Sequence, residues 1–225
     1  MTVNENYSPW IQCDLKQWGP LTNERYLIQV NKKTIVYDQE EVISRIYILK
    51  RGRVRLSYTS QSGTEKIYMF GLPGCMFGEE SCFEPEAQFL HAFTITNCQF
   101  YCIPKDEFLY ALSQDIALNA QVISSMSHKI HVLMEHLRRL CFLSAKSRIA
   151  GVFVDLSHVF GVPISNGIRI ELPVIQQGIG NLVNVSRLTV SQVINEFKMQ
   201  GLLEKKHGRW IIYDLETLKE LSRGP

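Results

Sequence analysis

Short apolar runs of strand length fill the chain between Tyr26 and Ile103, and turn-forming residues separate them. The runs are rich in β-branched and aromatic residues, which favour strands. The predicted strands are TIVY, RIYILK, RVRLSY, KIYMF, HAFTIT and QFYCI. The glycines that punctuate them are Gly52, Gly63, Gly71, Gly74 and Gly78. This pattern predicts a small antiparallel sandwich or roll, with most of its Tyr and Phe side chains in the core.

After Pro104 the apolar positions recur at a helical period instead. One stripe has an unbroken 3-4-3-4-3 spacing, which is the a/d seam of a two-stranded coiled coil. Its members are Ile123, Met126, Ile130, Leu133, Leu137 and Leu140. We therefore predict a long helix along which two copies of the chain form a homodimer. The alternative is a helix that packs the same stripe against its own domain.

The last third of the chain mixes short helices and strands. The segment SRIAGVFVDLSHVF continues helical and ends at Gly161 and Pro163. In chain order the remaining predicted elements are a strand at 168–172, helices at 174–183 and 186–200, strands at 202–204 and 210–213 joined by a turn at His207 and Gly208, and a final helix capped by Asp214.

The stretch around Asn184 has the sequence of a helix-turn-helix. Gly180 permits a close approach of the two helices, and Asn184 in the turn tolerates a left-handed backbone. Ser186 is the predicted N-cap of the second helix. The apolar inner face is formed by Ile179, Val183, Val185, Val190 and Val193. Since the basic hairpin KKHGRW follows as a wing, the order of the parts predicts a winged helix-turn-helix.

We expect the second helix of this motif to enter the major groove of double-stranded DNA. Arg187 suits guanine or a phosphate, Gln192 suits adenine, and Leu188 suits a thymine methyl. Ser191 contacts a base or the DNA backbone, or is simply solvated, and Lys198 faces phosphate or solvent. The candidate DNA-binding residues are Ser186, Arg187, Leu188, Thr189, Ser191, Gln192, Lys198, Lys205, Lys206 and Arg209.

Composition narrows the class of protein. The 225 residues suffice for two domains, no apolar run is long enough to span a membrane, and MTVNENYSPW is unlike a signal peptide, so we expect a cytoplasmic protein. Net charge is +2, with 10 Lys and Arg against 7 Asp and Glu from Ser144 onward. That mild basic excess suits nucleic acid. We divide the chain into a sensing domain at 1–112, a dimerisation helix and hinge at 113–143 and a DNA-binding domain at 144–225.

Cysteine and histidine patterns do not predict a cofactor or a metal. The six cysteines include no CxxC pair, which favours buried thiols in a reducing compartment, although a redox switch between some of them stays open. His131, Glu135 and His136 approach the HxxEH motif of zinc proteases with one residue too many. Because residues five apart do not share a helix face, we expect a solvated surface here and no enzyme.

The chain from about Tyr26 to Leu221 resembles the CRP/FNR family of transcription regulators. IYILKRGRVRL with LPGCMFGEESCF resembles the family's β-roll and its Phe-Gly-Glu turn, and IGNLVNVSRLTVSQVINEF resembles its DNA-reading motif. The resemblance implies an α+β fold with an N-terminal β-roll like that of cyclic-nucleotide-binding domains, a long dimerisation helix and a C-terminal winged helix-turn-helix. It also implies a homodimer that senses an effector and binds a palindromic operator.

Departures from the family narrow the effector. Cyclic-AMP-binding members carry an Arg-Ser or Arg-Thr pair where this chain has Gln88 and Phe89, so charge-assisted bonds to a phosphate are missing, and Glu79 and Glu80 repel an anion. We therefore reject cyclic AMP. Cys13 is alone near the N-terminus, which excludes the family's iron-sulfur cluster. The haem of carbon monoxide sensors is disfavoured, because Cys75 is near their ligand position but does not match it.

The chain also resembles the family's halorespiration-regulator branch, which senses ortho-chlorinated phenols. Lys129 falls at that branch's helix position, where it attracts a phenolate or carboxylate; the alternative is a solvated Lys beside the seam. Rings in the roll suit an aromatic effector. The candidate effector-binding residues are Tyr68, Phe70, Phe77, Gly78, Glu79, Gln88, Phe89 and Lys129.

Three functions follow as alternatives. The first is a DNA-binding regulator controlled by an aromatic or anionic effector, with RNA polymerase as a further candidate partner. The second is a constitutive or thiol-redox-controlled regulator of the same family. The third is a ligand-binding module that uses its winged helix for protein contacts. With Leu188 and Gln192 where many members carry Glu and Arg, the operator should differ from the family's common half-sites.

Overall fold

A computed structural model describes residues 8–84, 86–172 and 174–224, which form two compact units, Pro9–His131 and Val132–Pro225. Helices and strands are mixed, which confirms the predicted α+β class. Among the described residues no helix is long and apolar enough to cross a membrane. Residues 1–7, part of the segment that we predict to be unlike a signal peptide, lie outside the described residues.

The first unit is mainly β-structure. Its strands are β1 (Trp10–Ile11), β2 (Leu27–Val30), β3 (Ile35–Tyr37), β4 (Arg45–Arg51), β5 (Val54–Thr59), β6 (Glu65–Gly71), β7 (Met76–Phe77), β8 (His91–Thr94) and β9 (Cys98–Pro104). The helices that begin in it are two 3₁₀ helices, Leu15–Thr22 and Glu24–Tyr26, then α1 (Glu80–Phe83), α2 (Lys105–Gln114) and α3 (Ile116–Phe142). The six predicted strands are all present; the short strands β1, β2 and β7 were not predicted.

The nine strands form two sheets, in the orders β1-β6-β5-β8-β3 and β2-β9-β4-β7. Pairing is antiparallel, as predicted, except that β1 runs parallel to β6. The first core lies between the sheets and includes Leu56, Met69 and Phe100. The second core lies on the opposite face of the four-stranded sheet and includes Ile48 of that sheet together with residues of α2 and α3.

Strand β4 shows why the sequence RIYILK is apolar at successive positions. Tyr47 and Leu49 face the first core, whereas Ile46 and Ile48 face the second. A strand that is buried on both faces needs apolar residues on both, so its sequence lacks the alternation of apolar and polar residues that marks a half-exposed strand. The four-stranded sheet is therefore the shared wall of both cores in this unit.

The second unit contains a helical bundle and a small sheet. Its elements after α3 are α4 (Ala145–Phe160), β10 (Gly161–Ile164), β11 (Gly167–Ile170), α5 (Gln176–Val183), α6 (Arg187–Met199), β12 (Leu203–Lys206), β13 (Arg209–Ile212) and α7 (Leu215–Arg223). The sheet has the antiparallel order β10-β11-β13-β12. The rings of Phe153 and Trp210 meet edge to face in its core, with centroids 5.3 Å apart.

The predictions for this unit hold with small corrections. Strand β10 was not predicted because Pro163 cannot donate a backbone hydrogen bond, and the structure places it on an edge, where that donor is not needed. Helix α5 begins at Gln176 and not at 174, since Ile175 has an extended backbone. Asp214 caps α7 as predicted, accepting a hydrogen bond from the Thr217 amide at 2.9 Å.

Gly74 ties the N-terminal segment to the roll. Its φ is +87°, and a Cβ there would lie 1.9 Å from the carbonyl oxygen of Cys13. Its own carbonyl accepts a hydrogen bond from the Trp18 indole at 2.8 Å, and its amide donates to Leu49 O at 2.7 Å. The close approach depends on the missing side chain.

We expect Gly74→Ala to lower the free energy of unfolding by at least about 2 kcal/mol more than Gly63→Ala does. Gly63 has a similar φ of +78°, but a Cβ there meets nothing within 4 Å, so both variants carry the same backbone strain and only Gly74→Ala carries the clash. Urea denaturation measures both. Equal losses in the two variants would contradict the packing of Cys13 on Gly74.

Candidate DNA interface and effector site

The turn of the predicted helix-turn-helix has the expected backbone. Asn184 follows α5 with φ 57° and ψ 56°, in the left-handed region. A Cβ on Gly180 would lie 2.7 Å from the carbonyl oxygen of Val185, whose amide donates to Gly180 O at 3.1 Å. The roles predicted for Gly180 and Asn184 are therefore confirmed.

Ser186 and Thr189 form the N-terminal cap of α6. The Ser186 hydroxyl accepts a hydrogen bond from the Thr189 amide at 3.0 Å, and the two hydroxyl oxygens lie 2.9 Å apart. The cap fixes the direction in which α6 leaves the turn. Both residues are candidates for DNA contact, and in this structure their hydroxyl groups bond to each other and to the first turn of α6.

Helix α6 presents a polar and exposed early face. Arg187, Leu188 and Gln192 are exposed, with Leu188 68% exposed, and Ser191 is half-buried. The side chains of Arg187 and Gln192 form no hydrogen bond with another described residue, so both are available to an external partner. The opposite face is buried through Val190, Val193, Ile194 and Phe197.

Strands β12 and β13 form the predicted wing. His207 and Gly208 both have positive φ, 48° and 78°, as a two-residue type I′ hairpin requires. The ammonium groups of Lys198 and Lys205 lie 5.7 Å and 5.4 Å from the centroid of the Trp210 ring. The ring thereby gathers two positive charges from α6 and the wing on one surface.

Two basic residues of the wing already bond to other residues of the same chain. The Lys206 ammonium donates to the Tyr213 hydroxyl at 3.1 Å and pairs with Glu204 at 3.0 Å, although it stays exposed. Arg209 is half-buried and donates from Nη1 to the carbonyl oxygen of Glu171. Arg209 is therefore the weakest of the predicted phosphate contacts.

Helix α3 has two apolar faces. The inward face buries Leu118 and Val122 in the second core. The predicted seam lies elsewhere: Ile123 is 67% exposed, Ile130 55% and Leu137 61%. The alternative that this stripe packs on its own domain is therefore wrong for these three residues. Among the other seam positions Leu133 is 37% exposed, Leu140 is half-buried and Met126 packs against the second core.

Lys129 lies on the inward face of α3 and forms a buried ion pair. It is 8% exposed, and its ammonium donates to Oε1 of Glu79, which is 2% exposed. Burial acts to lower the pKa of Lys129, but the charge and the hydrogen bond of Glu79 prevail and raise it, so Lys129 is cationic. The alternative of a solvated Lys129 is wrong.

Two buried oxygens near the Phe-Gly-Glu turn have no hydrogen-bond donor among the described residues: Oε2 of Glu79 and Oε1 of Gln88. Gln88 is 2% exposed, and its amide nitrogen donates to the Ser81 hydroxyl. Ser81 was not a candidate residue, because nothing in the sequence connects it to position 88. The unpartnered oxygens are acceptors, so they favour a group that donates hydrogen bonds.

The candidate aromatic residues do not form one pocket. Phe77 is buried between the sheets and stacks on Tyr47 with centroids 5.3 Å apart. Phe70 follows the core residue Met69 and lies on the opposite face of its sheet, where it stacks on Trp10 at 5.4 Å, so it does not share a pocket with Phe77. Phe89 is 63% exposed. It stacks on Tyr58 at 5.2 Å and meets the edge of Tyr68 at 6.3 Å.

A charge network that the sequence did not reveal joins α3 to α4 within the second unit. The Arg139 guanidinium bonds Glu135 at 2.8 Å and Asp155 at 2.7 Å. Asp155 is 5% exposed, and burial raises its pKa despite the opposing effect of Arg139.

Because Glu135 is held by Arg138 and Arg139, it is not free to act as the base of a zinc-protease site. The described residues contain no cluster that could hold a metal ion.

The cysteines are free thiols. Burial raises the pKa of Cys75 to about 12 and that of Cys82 to about 11. A thiol with so high a pKa carries little reactive thiolate at neutral pH. Cys141, near the end of α3, is exposed.

Family models match both units. Residues 27–115 match the cyclic nucleotide-binding domain, and residues 147–221 match the Crp-like helix-turn-helix domain. The chain is 24% identical over 203 residues to the CRP-like cAMP-activated global transcriptional regulator of Mycobacterium tuberculosis, covering 90% of this chain and 91% of that protein.

Solved structures have the same fold. FixK2 from Bradyrhizobium japonicum superposes with a TM-score of 0.75 at 19% identity, covering 87% of this chain and 96% of that one. A variant of CprK, solved in complex with OCPA, superposes with a TM-score of 0.74 at 20% identity, covering 96% of this chain and 98% of that one. At these identities the likeness shows the fold alone.

We expect Lys129→Met to lower the free energy of unfolding by about 3–5 kcal/mol, because it leaves the Glu79 carboxylate buried and uncompensated. Urea denaturation measures the loss, and Lys16→Met, at an exposed lysine, is the matched control. Adding Glu79→Gln should recover most of the loss. If Lys129→Met lowers the free energy of unfolding equally in the wild type and in the Glu79→Gln variant, the side chains of Lys129 and Glu79 are not coupled.

Proposed function

Because the chain belongs to the CRP/FNR family of DNA-binding transcription regulators, we propose that it acts as a homodimer that binds a palindromic operator under the control of a small-molecule effector. The single observation that carries the proposal is the exposed stripe of α3 at Ile123, Ile130 and Leu137. Its members are spaced by seven residues, as in the seam of a parallel coiled coil. Apolar side chains in such a line are stabilised by a second copy of the same helix.

The proposed operator contact is made by α6 in the major groove. Arg187, Leu188 and Gln192 are its exposed early residues, and they suit guanine, a thymine methyl and adenine. Lys205 and Lys206 on the wing, with Lys198, supply phosphate contacts. In a two-fold dimer the two α6 helices read half-sites about 34 Å apart, one turn of DNA.

The proposed effector is not cyclic AMP. The relative from Mycobacterium tuberculosis is named as cAMP-activated, but this chain has Gln88 and Phe89 where a phosphate-binding Arg and hydroxyl are needed. Gln88 uses its amide nitrogen on Ser81, and Phe89 is exposed on the face of Tyr58. Neither arrangement supplies the cationic donors that a cyclic phosphate requires.

An aromatic effector with a hydroxyl group suits the buried chemistry better. The likeness to CprK solved with OCPA agrees with the halophenol-sensing branch that the sequence resembles. An anionic effector must compete with Glu79 for Lys129, whereas a protonated hydroxyl donates to Oε2 of Glu79 or Oε1 of Gln88. The proposed set of effector contacts therefore centres on Lys129, Glu79 and Gln88, without Phe70.

A two-state mechanism follows from this placement. An effector with unequal affinity for two arrangements of the dimer shifts their populations, typically with about 1–3 kcal/mol of coupling. We propose a hinge at 140–144. Two hydrogen bonds join it to α4: the Ser144 hydroxyl accepts from the Ser147 amide as the N-cap of that helix, and Arg148 donates to the Leu143 carbonyl oxygen at 3.0 Å. RNA polymerase is the protein partner that we propose.

Control by thiol oxidation finds little support, because the pKa values of the Cys75 and Cys82 thiols are raised.

In vitro selection from a random DNA pool tests the operator. We expect a palindrome to be enriched with ortho-chlorinated phenolic acids present and not with cyclic AMP. On that operator Arg187→Ala should cost about 1–3 kcal/mol of binding free energy, while Arg51→Ala, at an exposed arginine of the roll, should leave the affinity unchanged. Affinity should also fall steeply with salt. Enrichment by cyclic AMP alone would contradict the effector proposal, and equal losses in both variants would contradict the role of Arg187.

The seam is tested by Ile130→Lys. Since Ile130 is exposed in the single chain, the substitution should spare its fold, yet two lysines would meet in the dimer and weaken it more than about a hundredfold. Sedimentation velocity measures the association. The control is Ser124→Lys, at an exposed position of the same helix outside the seam, which should remain dimeric. A fully dimeric Ile130→Lys would disprove the seam.

A further inference from the structure

An open groove lies on the outer surface of the β-roll. It has a volume of about 700 Å³ and is lined by residues of β3, β5, β6 and β8 and of the segments that follow β3 and β5. Pockets that hold small molecules commonly have volumes of about 300–1,000 Å³. The groove lies in the first unit and shares no residue with the candidate effector site.

The floor of the groove is a cross-strand row. Ile35 pairs with Phe93, and Phe93 pairs with Arg55. The Arg55 guanidinium lies 4.7 Å from the centroid of the Phe93 ring, and Ile35 is 53% exposed. Because Leu56 and Ala92, the next residues along these strands, face the first core, the floor is the outward face of the sheet.

A buried polar network fixes the end of the floor. The Ser57 hydroxyl, fully buried, donates to Oε1 of Glu65 at 2.8 Å and lies 2.9 Å from Nε2 of His91. Arg55 pairs with the same oxygen of Glu65 at 2.9 Å. Burial lowers the pKa of His91, and Arg55 adds to this against the opposing charges of Glu65 and Asp38. With a neutral His91, the charges of Arg55 and Glu65 cancel.

Hydrogen bonds hold the walls of the groove in place. The side-chain carboxamide of Gln39 donates from Nε2 to the Thr59 carbonyl oxygen and accepts at Oε1 from the Thr59 backbone amide, both at 2.9 Å. The opposite wall is a tight turn in which the Gly63 amide donates to Ser60 O at 2.8 Å. The groove is therefore formed before any ligand arrives, which reduces the entropic cost of binding.

The walls add two negative charges. Asp38 and Glu40 line the groove, both are exposed, and neither forms an ion pair with a described residue. Since Arg55 and Glu65 compensate each other, the lining has a net charge of about −2 above an apolar floor. This combination is complementary to a positive charge on an apolar body.

We propose that this groove binds a small organic amine whose apolar part lies on Ile35 and Phe93 and whose ammonium group lies between Asp38 and Glu40. The volume of about 700 Å³ suits a small molecule, although the groove is open to solvent along one side. The groove is a separate site from the one proposed in the interior of the roll, because it lies on the opposite face of β5 and β8, although the Glu40 amide donates to Gln88 O at 2.8 Å.

Calorimetric titration with 2-phenylethylamine tests the proposal. We expect saturable binding of one amine per chain and none of phenylacetate, which has the same ring and the opposite charge. The double variant Asp38→Asn/Glu40→Gln should lose about tenfold or more in affinity. Its control is Glu84→Gln, an exposed carboxylate outside the groove, which should bind like the wild type. Unchanged unfolding midpoints verify that both variants keep the fold.

Two outcomes would overturn this proposal. One is the absence of saturable binding by the wild-type protein at millimolar amine, and the other is equal affinity in the wild type and the double variant. A tetralysine peptide provides the competing arm. If the peptide binds through Asp38 and Glu40 and the amine does not, the groove receives a basic protein segment and no small amine. None of these results bears on the operator or on the interior effector.

Discussion

Burial of the four-stranded sheet on both of its faces is the constraint on which the first unit depends. Tyr47 and Leu49 of β4 close one core, and Ile46 and Ile48 close the other. Neither face can change its packing without disturbing the other, since protein interiors are close-packed. The second core includes Leu118 and Val122 of α3, so the helix that bears the exposed stripe rests on the same sheet that forms the wall of the roll.

The Lys129–Glu79 pair adds a polar connection beside this apolar one. A buried ion pair is weak evidence for added stability, because desolvating both groups offsets their attraction. Its effect is better described as specificity: α3 must present Lys129 to the turn that follows β7, because any slip of the helix leaves two charges unpaired in the interior. In the proposed function, a ligand that bonds to the unpartnered oxygens of Glu79 and Gln88 acts on the same ion pair that positions α3.

Local signals in the sequence predicted local structure well. Asn184, Ser186 and the pair His207–Gly208 each carry their conformational preference in their own chemistry, and each adopts it. Contacts between residues far apart in the sequence could not be predicted. Examples are the ion pair of Lys129 with Glu79 and the hydrogen bond of Gln88 with Ser81. The separation of Tyr68 from Phe70 could not be predicted either, because the register of β5 and β6 shifts between Leu56 and Ser57 and interrupts the alternation of faces along β6.

The exposed stripe of α3 has a consequence for abundance. In the proposed homodimer, Ile123, Ile130 and Leu137 are covered only when two copies meet, so the fraction of assembled regulator rises with the number of copies present. Two recognition helices on one rigid partner also bind far more tightly than either does alone. A modest change in expression near the dissociation constant would then produce a disproportionate change in operator occupancy, which makes the amount of protein a second input beside the effector.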